Sequence, residues 1–269
     1  MTEMSAARPS VSSVQQWWVL TARTITPTFR NAELPTLAVA SIIFTAAFYL
    51  PLKNLMGPVI GGMSSYAQYL TPMMAIQAIA FAAVSAAFRS AVDSVQGINR
   101  RFKALPIGRL IPMASRLSAT MYRCVIALSI ALLAGHVIGF RFYGGTAHTV
   151  SFCILALLIG ATLALLGDLI GTWNENPEAT LPIMVVPQLI FGLLSVGLQP
   201  IHRFPEWIQP FVRNQPVSQW VIAMRALAGD STPAAGAVTW NSIGPALAWI
   251  LGAMLILIPL HALVATRRR

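Results

Sequence analysis

Apolar residues are concentrated in six uncharged runs, separated by polar or proline-containing segments. The runs extend over Leu34 to Leu50, Gln68 to Phe88, Cys124 to Phe140, Thr149 to Gly167, Leu181 to Leu198, and Ile243 to Thr266. A helix of about 20 residues crosses the ~30 Å hydrocarbon core of a membrane, and each run reaches or nearly reaches that length. The pattern predicts an all-α, polytopic membrane protein with six transmembrane helices.

A different periodicity precedes the first run. From Val14 to Phe29 apolar residues recur at helical spacing and include Trp17 and Trp18, while polar residues such as Arg23 fall between them. A helix of this kind lies at a membrane surface, and tryptophan is the typical interface anchor. We expect residues 1–33 to form a cytoplasmic N-terminus with an amphipathic interfacial helix. A soluble helix that packs on a partner is the alternative.

Composition excludes a soluble protein. Hydrophobic residues make up 56% of the 269 residues and charged residues only 10%, whereas an ordinary soluble domain is about 25% charged. The net charge of +10 would indicate a nucleic-acid partner in a soluble chain. In a membrane protein the position of the cations is more informative than their sum, so we expect no nucleic-acid partner.

The cations predict the orientation, because Lys and Arg near helix ends stay cytoplasmic. With six spans and the N-terminus inside, twelve cations are cytoplasmic: Arg8, Arg23, Arg30, Arg89, Arg100, Arg101, Lys103, Arg109, Arg116, Arg267, Arg268 and Arg269. Five are outside: Lys53, Arg141, Arg203, Arg213 and Arg225. A further cation, Arg123, can snorkel from the inner end of the third span. We therefore expect a multi-pass membrane protein with both termini, including the tail 267–269, in the cytoplasm.

Two loops within the transmembrane region 34–266 are long. The cytoplasmic loop 89–117 is basic and carries Gly and Pro, which predicts short helices joined by turns. The external loop 199–242 places aromatic residues among prolines. It is too apolar to be fully exposed to water, and its prolines interrupt it too often for a helix that crosses the membrane. We expect its first half to dip back into the outer leaflet as a re-entrant segment, which requires that protein or water shield its backbone.

The sequence contains no motif for ATP hydrolysis, metal binding or catalysis. No lysine follows a glycine, so a P-loop for ATP cannot form, and the scattered histidines show no metal-ligand spacing. We expect no catalytic residue and no metal site. Asp168 is the only carboxylate that touches a span, and we expect it to be hydrated beside Glu175 and Glu178. His136 and His261 could relay protons, but each stands alone near a helix end.

Such a protein is passive or uses energy supplied by a partner, for which the basic loop is the natural docking surface. Three alternatives remain at this point: an intramembrane enzyme that modifies lipid, an ion-driven secondary carrier, and a scaffold without transport activity. The spacings Gly135-x-x-x-Gly139 and Gly167-x-x-x-Gly171 predict close helix approach and carry no information about substrate.

Two local patterns within this layout resemble the ABC-2 type transporter permeases, the membrane subunits of bacterial exporters. One is Asp93-x-x-x-Gly97 followed by Leu105-Pro106 in the cytoplasmic loop. The other is a segment before the last helix, with Phe204-Pro205-Glu206-Trp207-Ile208-Gln209, then Asn214-Gln215-Pro216-Val217-Ser218 and Met224-Arg225-Ala226-Leu227. Within the family, the run from Phe211 to Asp230 and the run from Gly97 to Phe102 are similar to the daunorubicin-resistance subgroup, closest to its mycobacterial B-type subunits.

The resemblance implies an export subunit of a bacterial plasma (inner) membrane, without its own ATPase site. ATP and Mg would be bound by a separate P-loop ATPase subunit, and a second ABC-2 permease, a different chain or a second copy, would complete the membrane part. The cargo would be a hydrophobic or amphipathic substrate, either a cell-envelope lipid or glycolipid or a drug-like antibiotic such as an anthracycline.

The resemblance also implies the site residues. Coupling to the ATPase is expected at the interfacial helix and the cytoplasmic loop, through Trp17, Trp18, Asp93, Gly97, Arg100, Arg101, Phe102, Leu105 and Pro106. An external gate or re-entrant element is expected at Phe204, Pro205, Trp207, Asn214, Pro216 and Trp220. For the aromatic members, simple anchoring at the membrane interface is the alternative role.

Overall fold

A computed structural model of the protein describes residues 12–30, 33–56, 60, 62–98, 101, 108, 110–174 and 176–267. The regular secondary structure that we name is α1 (Ser13–Arg30), α2 (Glu33–Met56), α3 (Tyr66–Val95), α4 (Ile111–Ile138), α5 (Gly145–Asn174), α6 (Pro177–Leu193), α7 (Gln209–Asn214), α8 (Pro216–Ala228) and α9 (Trp240–Arg267), with 3-10 turns at Ile201–Arg203 and Pro233–Ala235. No strand occurs among the described residues, so the all-α prediction is confirmed for them.

The helix α3 forms the centre of the bundle. Its neighbours are α2, α4, α5, α6 and α8, and it is buried over most of its length. Alanines such as Ala75, Ala82, Ala83 and Ala87 supply much of its surface and are almost inaccessible to solvent. Small side chains allow helix backbones to approach closely. In a membrane the hydrophobic effect does not hold helices together, because lipid tails are as apolar as the side chains, so helices associate through such close packing.

Three of the four glycines in the two predicted spacings lie at such approaches. A methyl group added at Gly171 of α5 would collide with the carbonyl oxygen of Ala87 in α3, and one at Gly167 would lie 2.9 Å from that of Ala83. At Gly135 of α4 the added carbon would meet the Thr71 side chain at 2.6 Å. Close helix contact is therefore confirmed at these three positions, whereas the space around Gly139, which follows α4, is open.

Five of the described helices are long and apolar enough to cross a membrane: α2, α3, α4, α5 and α9. The apolar run predicted at Leu181 to Leu198 forms α6, which has only 17 residues and ends at Leu193. The number of six crossings therefore remains a prediction. Large hydrophobic side chains on α2 and α9, including Ile43 and Leu255, are exposed, as expected for surfaces that face lipid.

At its two ends the region 89–117 differs from the predicted set of short helices, whereas residues 99–100, 102–107 and 109 lie outside the described part. Helix α3 continues through Arg89 to Val95, and α4 already begins at Ile111, so both long helices extend into this region. The prediction was wrong at these ends because charged residues were taken as the boundaries of apolar helices. In the structure Arg116 and Asp168 neutralise each other, which allows charge within the helical bundle.

The segment 199–242 is built of short elements. Prolines at the first turns of α7 and α8 start these helices where a missing N–H is harmless, and α8 then packs against α3, α5 and α9. The bundle thus has two polar ends. We name them the Asp168 end, where α3 and α5 finish, and the Arg225 end, where α8 meets the start of α3.

Candidate functional site

A buried ion pair joins the helices at the Asp168 end. Arg116 of α4 donates from Nε to Asp168 Oδ1 at 2.6 Å and from Nη2 to Oδ2 at 3.0 Å. Ser90 of α3 donates its hydroxyl to the same carboxylate. From α9, His261 Nδ1 lies 3.8 Å from Asp168 Oδ2, and its Nε2 is 2.9 Å from the Leu165 carbonyl oxygen. One carboxylate therefore connects α3, α4, α5 and α9.

The prediction that Asp168 is hydrated was wrong. Its side chain is 8% exposed and that of Arg116 is 15% exposed. A buried carboxylate requires a partner of opposite charge, and a bidentate arginine supplies charge and directed hydrogen bonds together. His261 does not stand alone either, since it faces this ion pair. Glu178 is described at the start of α6, whereas Glu175 lies outside the described residues.

A second arginine fixes α1 to the bundle. Arg123 of α4 is 1% exposed, and it donates from Nε to Thr28 Oγ1 at 3.2 Å and from Nη2 to the Thr24 carbonyl oxygen at 3.3 Å. The prediction that Arg123 snorkels is wrong, because α1 covers it. Nearby, Trp17 Nε1 donates to Ser118 Oγ of α4 at 3.1 Å. The predicted helix Val14 to Phe29 is confirmed as α1, and one face of it is docked on α4.

A partly open cavity of about 370 Å³ lies between α1, α3, α4 and α5 at this end. Its lining contains four arginines and two aspartates, namely Arg23, Arg89, Arg116, Arg123, Asp93 and Asp168. The charges of Arg116, Arg23 and Arg89 all act on Asp93. The predicted coupling residue Asp93 therefore belongs to the same charged cluster as the ion pair and the α1 dock.

The other predicted coupling residues that the structure describes are not among the residues that line this cavity, and the rest fall outside the described part. Trp17 is half-buried against α4, whereas Trp18 is 62% exposed. Gly97 follows α3 with a φ of +69°, a backbone conformation that favours glycine, and Arg101 is exposed. The residues outside the described part are Arg100, Phe102, Leu105 and Pro106.

The assembly of this cluster was not predicted from the sequence. There Arg116 is only one of the loop cations, Asp168 is expected to be hydrated at a helix end, and Arg123 is expected to snorkel. A signal was available, because Arg116 and Arg123 are seven residues apart and lie on one face of a helix. Two arginines on one face beside an isolated intramembrane carboxylate indicate an internal ion pair.

The Arg225 end is organised around another buried arginine, which had been predicted to lie in an external loop. Arg225 of α8 donates from Nε to the Tyr69 carbonyl oxygen at 2.9 Å, and from Nη2 to those of Val196 and Gly197 at 2.8 and 3.1 Å. Its guanidinium carbon lies 3.4 Å from the centre of the Tyr69 ring, a cation–π contact. Arg225 thereby holds together α3, α8 and the chain that leaves α6.

Glutamine side chains support this arrangement. Gln215, which precedes α8, donates from Nε2 to the Phe191 and Leu194 carbonyl oxygens at 3.0 and 3.3 Å. Gln68, at the start of α3, donates to the carbonyl oxygens of Arg141 and Gly229 at 2.8 and 2.7 Å. These amides satisfy backbone oxygens that the irregular segments leave without helical partners.

A partly buried carboxylate joins the loop before α9 to the residues before α3. Asp230 accepts hydrogen bonds from the Ser64 amide and hydroxyl and from the Thr232 hydroxyl. Partial burial alone would raise the pKa of Asp230, but these hydrogen bonds and one from the Ser231 amide stabilise the carboxylate and lower the pKa below its ordinary value.

The predicted gate residues occupy different environments. Phe204 and Trp220 are buried in the core, and within the described structure Trp220 Nε1 has no hydrogen-bond partner. Trp207 is 80% exposed, and Pro205 is exposed as well. Asn214 is exposed at the end of α7, where its carbonyl oxygen accepts from Trp249 Nε1, and Pro216 begins α8. Two of the six residues are therefore buried, three are exposed, and Pro216 is partly exposed.

Comparisons with known proteins agree with this architecture. The model of the family described as ABC-2 type transporter matches residues 15–228. The doxorubicin resistance ABC transporter permease protein DrrB of Mycobacterium tuberculosis is 45% identical over 263 residues, which cover 96% of this chain and 91% of that protein. The probable doxorubicin resistance permease DrrC of the same species is 28% identical, over 76% of this chain and 74% of its own.

A more distant relative is the daunorubicin resistance ABC transporter permease protein DrrB1 of Streptomyces coeruleorubidus. It is 24% identical over 72% of this chain and 69% of its own length. The resemblance seen in the sequence is therefore confirmed, and so is its direction toward the mycobacterial B-type subunits. The chain belongs to the ABC-2 type transporter family of membrane permeases.

Proposed function

We propose that this chain is the membrane-spanning permease subunit of an ABC exporter, which moves a hydrophobic or amphipathic substrate out through a bacterial plasma membrane. ATP and Mg are bound and hydrolysed by a separate P-loop ATPase subunit. The observation that carries the proposal is the 45% identity, over nearly the full length of both chains, to a protein named as a doxorubicin resistance permease.

The Asp168 end faces the cytoplasm, and the conformational change of the ATPase acts on this end. The ATPase docks on the segment between α3 and α4, including Gly97, Arg100, Arg101, Phe102, Leu105 and Pro106, and on the exposed face of α1. Support comes from the contacts of the cavity, since Asp93, Arg116 and Arg123 link the ends of α1, α3, α4 and α5. A push on any of these elements is transmitted to the others through buried, directed hydrogen bonds.

The Arg225 end faces outward and controls the exit. Here α6 serves as the fifth of six crossings, and α7 and α8 form the re-entrant element, with buried Phe204 and Trp220 inside and Trp207 at the interface. Arg225 and Gln215 support this assignment because they satisfy the irregular backbone internally, as a segment within a membrane requires. A second permease, either another copy or a different chain, completes the path.

The cargo is an anthracycline-like drug or a cell-envelope lipid. The drug class rests on the names of the three relatives. The lipid class rests on the apolar character of a bundle whose helices expose large hydrophobic side chains.

Separate alanine variants of Asp93, Arg100, Arg101 and Phe102 test the coupling assignment in proteoliposomes that contain the ATPase and the second permease. We expect each protein to remain in the membrane while substrate export and substrate-stimulated ATP hydrolysis separate. The matched control is Arg213→Ala, which removes an exposed arginine at the opposite end. Survival of both activities in all four variants would overturn the coupling assignment.

A further inference from the structure

The turn that follows α6 is buried although its backbone is irregular. Residues 194–199 form no helix, and Ser195, Val196 and Leu198 are almost inaccessible to solvent. The carbonyl oxygens of such a segment need donors from elsewhere in the protein, because an unpaired carbonyl is costly where water is excluded. The position of the turn therefore depends on the side chains that supply these donors.

Two tyrosines of α3 and one arginine of α8 supply them. The Tyr69 hydroxyl donates to the Val196 carbonyl oxygen at 2.7 Å, and Arg225 Nη2 donates to the same oxygen at 2.8 Å. The Tyr66 hydroxyl donates to the Leu198 carbonyl oxygen at 3.2 Å. We name these three side chains, Tyr66, Tyr69 and Arg225, the turn clamp.

The turn clamp is held together by contacts of its own. The rings of Tyr66 and Tyr69 are stacked, with 16° between their planes and 6.1 Å between their centres. Arg225 lies on the face of the Tyr69 ring and donates from Nε to the Tyr69 carbonyl oxygen. None of these contacts involves the turn, so the clamp can keep its shape while the turn leaves and returns.

The charge of Arg225 favours the bound turn. No carboxylate that the structure describes pairs with Arg225, whose partners are carbonyl oxygens and the Tyr69 ring. A buried charge that loses its hydrogen bonds is costly, so the turn can leave only where water reaches the guanidinium group. Displacement of the turn is therefore coupled to hydration of the Arg225 end.

We propose that the turn 194–199 is the movable closure of the exit, and that the turn clamp holds it shut until ATP drives the complex. The inference rests on the proposed function, which assigns the Arg225 end to the exit. It adds the moving segment and the residues that hold it. Tyr66 and Tyr69 are positioning residues for export, acting through the carbonyl oxygens of the turn.

A buried thiol reports displacement of the turn. Ser195→Cys places it in the turn with little change in size, and Cys124→Ala and Cys153→Ala remove the native thiols. The purified complex with the ATPase and the second permease, in nanodiscs, is treated with a positively charged methanethiosulfonate. This reagent modifies only a thiol that water reaches, so the rate of modification measures how often the turn is displaced.

Tyr69→Phe in this reporter should speed modification about fivefold without ATP, the effect of one hydrogen bond between uncharged groups. The Val196 oxygen retains Arg225 as a donor, so no buried acceptor is left unpaired. Tyr66→Phe removes a longer hydrogen bond and should act in the same direction with a smaller increase. Tyr143→Phe is the matched control, because Tyr143 is an exposed tyrosine at the same end. In the reporter without these changes, ATP should speed modification.

Cys124 separates opening of the turn from general loosening of the bundle. Its thiol is buried in the core, and in a protein that keeps Ser195 and Cys124 its modification should not change with Tyr69→Phe. Equal acceleration at Cys124, or a reporter rate in Tyr69→Phe no higher than in Tyr143→Phe, would overturn the turn clamp.

The effect of ATP separates the clamp from the proposed function. If the complex hydrolyses ATP but the reporter is modified no faster, the turn is not the closure of the exit and the inference is overturned. A complex that hydrolyses no ATP contradicts the proposed function instead, and the comparison without ATP still decides whether the clamp holds the turn.

Discussion

Breaking the Arg116–Asp168 pair is expected to destabilise the helical bundle strongly. Asp168→Asn keeps the shape of the side chain and removes its charge, so the Arg116 guanidinium remains buried opposite a neutral amide. At a separation of about 3 Å and an effective dielectric constant of about 20, the lost Coulomb attraction is roughly 5 kcal/mol. Measured losses for one partner of a buried pair are about 3–5 kcal/mol, and we expect a loss in that range.

Replacement of both partners should be far less harmful. Arg116→Met with Asp168→Leu removes both charges together, and apolar replacement of a buried ion pair is often neutral or stabilising. We expect the double variant to be at least about 2 kcal/mol more stable than Arg116→Met alone or Asp168→Leu alone. The two effects would then be strongly non-additive, as for residues in direct contact.

Reversible unfolding in mixed detergent micelles, followed by circular dichroism, measures these free energies. Arg213→Met is the control, because Arg213 is exposed and its loss should change the free energy of unfolding by less than about 0.5 kcal/mol. Additive effects of Arg116→Met and Asp168→Leu, or losses in the single variants no larger than in the control, would refute the buried pair as a structural element.

Three further predictions concern other contacts. Gly171→Ala should lower the free energy of unfolding by about 1–3 kcal/mol, because the added methyl group meets the Ala87 carbonyl oxygen, whereas Gly252→Ala, with open space around it, should not; chemical unfolding compares the two. Arg225→Met should cost at least about 2 kcal/mol in the same assay through three lost carbonyl contacts, and unchanged stability would refute the role of Arg225. Because the pKa of Asp230 is lowered in the folded protein, its contribution is present above about pH 4 and lost as the pH falls through the folded pKa. Thermal melts between pH 6 and pH 3 should therefore show a smaller acid-induced loss in Asp230→Asn than in the parent protein.

The helices followed from the sequence because long apolar runs have few alternatives in a membrane. The glycine spacing in α5 also predicted a close helix approach, and α3 is the partner there because only the missing side chain at Gly171 leaves room for its backbone. Helix α6 was less predictable, because irregular backbone after Leu193 interrupts an apolar run that continues to Leu198.

The charged contacts could not be obtained from local pattern. Arg116 and Asp168 are 52 residues apart, and their pairing depends on how α4 and α5 pack. Hydropathy rules place a lone charge at the end of a span, whereas tertiary structure can bury it beside an opposite charge. The contacts of Arg225 could not be predicted for a similar reason. Its partners are backbone oxygens, and the sequence carries no signal for such contacts.

Affinity purification from the native membrane in mild detergent tests the central claim most directly. The tagged chain is isolated, its copurifying proteins are identified, and the ATPase activity of the sample is measured. The account predicts recovery of a P-loop ATPase together with a second permease and active hydrolysis. A chain recovered alone from a well-preserved sample, without ATPase activity, would contradict it.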